Sequence, residues 1–194
     1  GSESFVGKAV IDYCNKKSFE YLAIDLNAKN TSKTRKFDIR DKNIHKIIPQ
    51  NSIIIHLAAI SNNSDFDKDP IKGMEVNLDG TINLFLNAKK KKCKKFIFAS
   101  TEWVYGDQSV TFPMNEEHSI DIQKIKSKYA LSKLLTEIYL KSINFTNLIF
   151  LRFGIIYSSH RSGGSAVESI FSNLIKDNKI CIGSKKTSRR FIHL

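Results

Sequence analysis

Short apolar runs alternate with longer segments of helical periodicity along the chain, which restricts it to repeated βαβ units around a parallel sheet. Four runs read as strands: Tyr21–Ile24, Ser52–Leu57, Lys95–Ala99 and Leu148–Phe153. Between them Pro70 opens a segment in which Ile71, Met74, Leu78, Ile82 and Phe85 recur at helical intervals. Further helices are predicted over Tyr129–Ile143 and Val167–Ile175. The class is α/β with a doubly wound sheet, and no repeat or linker interrupts the pattern before about Tyr157.

The 194 residues, 41% hydrophobic and 26% charged, suffice for one globular domain, or one and part of another. There is no run of ~18 apolar residues to cross a bilayer and no export signal, so a cytoplasmic protein without a membrane partner is expected. Cys14, Cys93 and Cys181 lack paired metal spacing, which predicts reduced thiols and no metal site. The formal net charge of +12 attracts anions. Its densest run, Lys89–Lys92 with Lys94 and Lys95, falls where a helix should end and complements the carbonyl end of the dipole. Nucleic acid is disfavoured as a partner, because such a face would interleave aromatics with the charge.

Gly1-Ser2-Glu3-Ser4-Phe5-Val6-Gly7 opens an apolar-periodic segment, as a turn does when its backbone approaches a phosphate at a helix N-terminus. Two glycines six apart also suit an ordinary turn, and Ser4 stands in place of the middle glycine of the phosphate-binding turn that this one resembles. Since serine adopts positive backbone angles at a cost, a distorted turn or a more weakly held cofactor is expected. Asp25 ends the Tyr21–Ile24 run, where a carboxylate can accept bonds from ribose hydroxyls and repel a 2′-phosphate. An exposed aspartate in a strand-to-loop turn has the same appearance in sequence. Ser100 and Thr101 close another run, and Tyr129 and Lys133 follow at i,i+4 spacing. A phenol titrates near pH ~10, and an ammonium group on the same helix face favours its ionised form. With Thr101 holding the oxygen, Tyr129 can remove a proton from an alcohol while a nicotinamide takes the hydride. Tyr13 and Lys17 repeat the spacing without such a strand before them, so context carries the assignment. His56 reads as a core histidine closing its strand.

Asp38-Ile39-Arg40-Asp41, His56-Leu57-Ala58-Ala59, Asn77-Leu78-Asp79-Gly80-Thr81 and Val104-Tyr105-Gly106 join these motifs in an order and spacing that resemble the extended short-chain dehydrogenase/reductase superfamily. The resemblance is to its NAD-dependent nucleotide-sugar epimerase/dehydratase family, and it covers nearly the whole chain. It implies a Rossmann-type doubly wound sheet, with residues 1–157 as the NAD-binding domain and 158–194 as the start of a substrate-binding region. The first strand and most of the C-terminal substrate domain are expected to lie outside this sequence. NAD is implied on Gly1, Phe5, Val6, Gly7, Asp25, Asp38, Ile39, Leu57, Ala58, Ala59, Asn77, Ser100, Tyr129 and Lys133. In that arrangement Asp38 and Ile39 flank the adenine, Leu57–Ala59 line the phosphates and ribose, and Asn77 supports the active-site helix.

The resemblance further implies that Tyr129, as phenolate, takes the proton of a sugar hydroxyl, with Lys133 on the nicotinamide ribose and Thr101 on the reacting oxygen. In an epimerase the keto-sugar turns over and recovers its hydride on the other face. A dehydratase needs an acid and a base beside the threonine, and here Thr101-Glu102-Trp103 offers one carboxylate and an indole. Glu102 reads as a substrate contact or proton carrier, or as a surface carboxylate. Ile155 stands where the family commonly has an amide, and Arg189 matches an arginine that grips the nucleotide diphosphate, with Arg190 in place of an aspartate. The expected activity is that of a nucleotide-sugar epimerase, a 4-epimerase serving polysaccharide or sugar-nucleotide synthesis. A homodimer paired through the Asn77 and Tyr129 helices is expected with it. The alternatives are an NAD(P)H-dependent sugar or carbonyl reductase, a nucleotide-sugar dehydratase, and a noncatalytic RNA-binding member of the superfamily.

Overall fold

β-Branched and aromatic side chains favour extended backbone, and the apolar runs form short strands in the computed structural model, which describes residues 1–106, 114–158, 165–180 and 191–194. After a helix over Phe5–Lys16 (α1), Ala23–Asp25 (β1) pairs in parallel with Thr34–Lys36 (β2), a strand the apolar pattern does not reveal. Ile53–His56 (β3), Lys95–Thr101 (β4) and Leu148–Phe153 (β5) form a second sheet with β4 in the middle. β3 and β4 run parallel, with Ile53 opposite Lys95 and His56 opposite Phe98. These are the parallel sheets and covering helices of a Rossmann-type fold. Residue contacts divide the described chain into two units, Gly1–Arg152 and Phe153–Leu194. In the second, Ile155–Tyr157 (β6) pairs in parallel with Phe191–His193 (β7).

Asn63–Lys68 (α2) precedes the helical stretch that Pro70 opens. Asp69 caps this stretch by accepting the Lys72 amide at 3.0 Å, and Pro70 fills a first-turn position where no amide is needed. It runs as Pro70–Met74 (α3), a π-helical turn over Glu75–Gly80, and Thr81–Lys90 (α4). The lysine run falls at its end: Lys89 and Lys90 occupy the last turn, and Lys89 Nζ donates to the Asn144 carbonyl at 3.1 Å. Lys128–Ser142 (α5) is capped by Ser127, whose Oγ accepts the Ala130 amide at 3.1 Å. In the second unit Ala166–Asp177 (α6) starts from a reciprocal cap between Ser165 and Glu168.

Alternation along β4 sends Phe96, Phe98 and Ser100 into the interior. Phe96 meets Phe85 of α4 edge-on at 5.0 Å between ring centroids, and Phe98 meets Phe150 of β5 at 6.1 Å. Beside this apolar seam a buried ion pair ties α5 to the sheet. Glu137, 1% exposed, accepts from Arg152 Nε at 3.1 Å and Nη2 at 2.6 Å. Ser100 Oγ donates to the same carboxylate at 2.5 Å, and Arg152 Nη1 donates to the Tyr105 hydroxyl at 2.8 Å. Removing one partner of such a pair leaves a charge in the interior with nothing to offset its desolvation. Glu137→Ala is therefore expected to lower the unfolding free energy in urea by about 3–5 kcal/mol. The double change Glu137→Gln/Arg152→Met, which removes both charges, should cost much less, and equal losses would refute the pairing.

Candidate active site

The glycine turn is tighter than its sequence suggests. A Cβ on Gly1 would stand 2.4 Å from the Ala58 nitrogen, and one on Gly7 would stand 2.3 Å from the Gly1 oxygen. Both positions therefore exclude any other residue for reasons of space. The distortion expected at Ser4 is absent. Its backbone is ordinary and extended (φ −69°, ψ 164°), because Ser4 is the N-cap of α1: its Oγ accepts the Gly7 amide at 3.1 Å and donates to the Gly1 carbonyl at 2.7 Å. The serine hydroxyl thereby satisfies one of the amides left open at the start of the helix. The turn lies where the ends of β1 and β3 meet, since the Ser2 amide donates to the Ile24 carbonyl at 3.2 Å and Gly1 packs on Leu57 and Ala58.

Asp25 ends β1 beside this turn. Burial opposes its ionisation, but amide bonds from Asn27 at 2.9 Å and Glu3 at 3.0 Å outweigh it and hold the carboxyl below its ordinary range. It is thus an anchored anion with lone pairs left to accept. Asp38 is clamped by Arg40, whose Nη2 reaches it at 2.7 Å, and Ile39 belongs to the apolar core. A depression of about 700 Å³ is lined by Asp38, Arg40, Asp41, Glu75, Asp79 and Asn83, and a smaller one of about 360 Å³ opens beside Ala59 and Ile60. Neither is lined by Tyr129, and the site is better defined by its hydrogen bonds.

β4 and the start of α5 bring the chemical residues together. Thr101 ends the strand, and its Oγ1 accepts the Trp103 amide at 3.2 Å, which costs the hydroxyl neither its proton nor its other lone pair. Glu102 follows, half-buried, in a one-turn 3-10 helix. Tyr129 occupies the first turn of α5, where amide dipoles favour negative charge. Lys133, 2% exposed, donates from Nζ to the Ala99 carbonyl at 2.8 Å and lies 4.5 Å over the Phe98 ring and 5.9 Å over that of Tyr129. Tyr13, by contrast, is exposed on α1, and its matching Lys17 merely ends that helix.

The electrostatics differ from the expected division of labour. Burial pushes the Tyr129 phenol up to about 12 and the Lys133 ammonium down to about 7, the latter partly offset by Glu137. The lysine is thus held by β4, and its charge alone does not bring the phenol toward neutrality. Ser100, implied as a cofactor contact, gives its hydroxyl to Glu137 instead. Asn77, fully buried, accepts the Ile60 amide at 2.8 Å and donates to the Ile60 carbonyl and to Ser132 Oγ, each at 3.0 Å. Ser132 in turn donates to the Tyr129 carbonyl at 2.7 Å. Arg189 lies outside the described residues. Sequence reasoning missed Glu137, Ser132 and the Ser4 cap. The available signal was Arg152, a charge within an otherwise apolar strand that required a buried partner.

A turn into a helix with no room for a side chain at Gly1 or Gly7, an acidic strand end beside it, and a Tyr-Lys pair against the neighbouring sheet define a Rossmann-type dinucleotide-binding protein. The chain belongs to the NAD dependent epimerase/dehydratase family, whose model matches residues 1–194. It is 28% identical over its whole length to a putative UDP-glucose 4-epimerase of Methanocaldococcus jannaschii, of which it spans 68%. A UDP-N-acetyl-alpha-D-glucosaminuronate decarboxylase of Bacillus cytotoxicus is 32% identical over 71% of the chain, which spans 46% of that protein. Among solved structures, UDP-N-acetylglucosamine 4-epimerase of Methanobrevibacter ruminantium superposes on the full chain and 67% of its own, with a TM-score of 0.83 and 23% identity. UDP-glucose 4-epimerase of Thermotoga maritima gives a TM-score of 0.80 at 21% identity, again over the full chain and 67% of its own.

The cofactor is NAD. The residues present fit it: Ser2 Oγ is buried at the N-terminus of α1 without a hydrogen-bond partner among the described residues, and Asp25, anchored beside the turn by two amides, keeps lone pairs for hydroxyl donors. Among the described residues no group of three His, Cys, Asp or Glu side chains is placed to hold a metal, and no helix is long and apolar enough to cross a membrane.

Lys133 carries a testable sign. Its folded value of about 7 lies below its ordinary 10.5, so between these limits the unfolded chain binds a proton that the folded chain does not. Stability contributed at this position should therefore rise as pH increases from about 7 toward 10.5. Urea unfolding of wild type and Lys133→Met across this window should show the difference shifting in favour of the wild type. A flat or opposite trend would contradict the buried ammonium.

Proposed function

We propose that the whole protein is an NAD-dependent nucleotide-sugar epimerase, acting at C4, which oxidises a sugar hydroxyl transiently and restores it in the opposite configuration. The observation that supports this reading is Lys133, bonded to Ala99 two residues before Thr101 on β4 and standing 5.9 Å over the Tyr129 ring. The names of the similar proteins, UDP-glucose and UDP-N-acetylglucosamine 4-epimerases among them, support the substrate class. NAD would rest on Gly1, Gly7 and the first turn of α1, with Asp25 on the adenosine ribose. When bound, it supplies a reversible hydride acceptor and a positively charged ring.

The chain's own residues handle the proton and the substrate. Thr101 donates to the sugar oxygen and holds it facing Tyr129, which accepts the hydroxyl proton and later returns it. A phenol near 12 needs added positive potential to act as a base. Lys133, the α5 N-terminus and the cofactor's ring together offer it. Glu102 stands beside Thr101 as the single carboxylate of the Thr101-Glu102-Trp103 turn. Elimination of water would require an acid and a base there, and for that reason epimerisation is preferred to dehydration.

We also propose a homodimer. α5 presents Leu135, Ile138 and Tyr139 to solvent, and Leu86 of α4 is likewise exposed. Packed against a second copy they would bury a continuous apolar face. Light scattering should report a dimer that Ile138→Glu converts to monomer, and an unchanged mass would refute this interface.

Tyr129→Phe is expected to lower turnover of a UDP-sugar panel, followed by NMR, by about 10²- to 10⁴-fold while NAD affinity is unchanged. Retained turnover would refute the assignment of Tyr129. Net consumption of NADH in the same assay would point to a reductase instead.

A further inference from the structure

Trp103, the one tryptophan in the sequence, is 43% exposed at the end of a strand whose last two residues are buried. Its mounting is rigid on both sides. The Trp103 amide is held by Thr101 Oγ1, while its carbonyl accepts the Gly106 amide at 3.0 Å, with Gly106 at φ +72° closing the turn. The next two residues, Val104 and Tyr105, are buried with Leu134 in a small core of their own. The indole itself does not join that core. It stands edge-on to the Tyr129 ring, 6.4 Å between centroids and 78° between planes.

A large apolar ring held in solvent beside a reacting phenol forgoes burial that it would gain with a partner. A pyranose is a suitable one. Its hydroxyls lie around the rim and reach donors and acceptors such as Thr101 and Tyr129, whereas its axial C–H bonds form an apolar face that packs on an aromatic plane. Tryptophan gives such contact area with few rotatable bonds to freeze.

We infer that Trp103 is a specificity-determining wall of the site, whose exposed indole packs against the C–H face of the sugar ring that Thr101 and Tyr129 hold by its hydroxyl. This rests on the nucleotide-sugar reading and adds that the sugar, not the nucleotide, meets the indole. A small carbonyl compound without an extended C–H face would gain little there. Trp103 also shields one side of the phenol from water, in keeping with the burial of Tyr129.

The test compares UDP with UDP-glucose on the NAD-loaded whole protein by calorimetry. Trp103→Ala should weaken UDP-glucose binding roughly three- to tenfold, the size of one aromatic contact, and leave UDP binding unchanged. Trp103→Phe should recover most of the loss. The tryptophan emission missing from Trp103→Phe should change in the wild type on adding UDP-glucose and not on adding UDP. If UDP-glucose binds but Trp103→Ala leaves its affinity unchanged, or weakens both ligands alike, the wall is overturned and the nucleotide-sugar reading stands. If neither ligand binds the wild type, the reading and the wall fall together. Trp103 is a surface residue, so its replacement leaves the core packing intact.

Discussion

The Glu137–Arg152 ion pair fixes how α5 lies on the sheet. Glu137 comes from the middle of α5, Arg152 from β5, and Ser100 from β4, the residue before Thr101. One carboxylate thus holds three elements at a common point. Lys133 sits one turn before Glu137 on α5, and its bond to Ala99 falls one residue before Ser100 on β4. The ion pair and the lysine therefore set the same register twice. A buried pair is a poor source of net stability compared with apolar packing, since desolvation of both charges opposes their attraction. Its effect is positional, because a sliding helix would strand a charge.

Along the adjacent face of α5, through Ser132 and Thr136, lies a second polar seam, built without formal charge. Thr81 Oγ1 donates to the Asn77 carbonyl at 2.7 Å and lies 2.8 Å from His56 Nε2. A hydroxyl that has given away its proton can only accept from the ring, so His56 carries its hydrogen on Nε2. Burial, followed by the nearby charge of Lys133, pushes the imidazole well below its ordinary value and keeps it neutral. Thr136 Oγ1 donates to the Ser132 carbonyl at 2.8 Å and lies 3.2 Å from the Asn77 carbonyl. The buried histidine is accordingly part of the scaffold, as its apolar neighbours in the sequence implied.

Much of this was legible from residue order. The strand runs at Ser52–Leu57 and Lys95–Ala99, the helix from Tyr129 and the glycine turn all appear within a few residues of where periodicity placed them. Other features left no local trace. Thr34–Lys36 is too polar and short to stand out as a strand and exists through its pairing with β1. Ser4 looked like a defect because a glycine position is judged by backbone freedom, whereas the cap works through the side chain. The raised phenol and lowered ammonium depend on burial, which spacing along one helix does not encode.

The wide turn at Glu75–Gly80 has a consequence for how this chain can vary. Each residue of an α-helix advances about 100° around the axis, and a π turn accommodates one residue beyond the regular winding. Asn77 lies within it, where it spans Ile60 and Ser132. Deleting a residue there would restore regular winding and still leave a continuous helix, yet everything upstream would be turned by about a quarter of a revolution against α4. The surplus residue thus acts as a phase offset that lets one helix satisfy two neighbours at different azimuths.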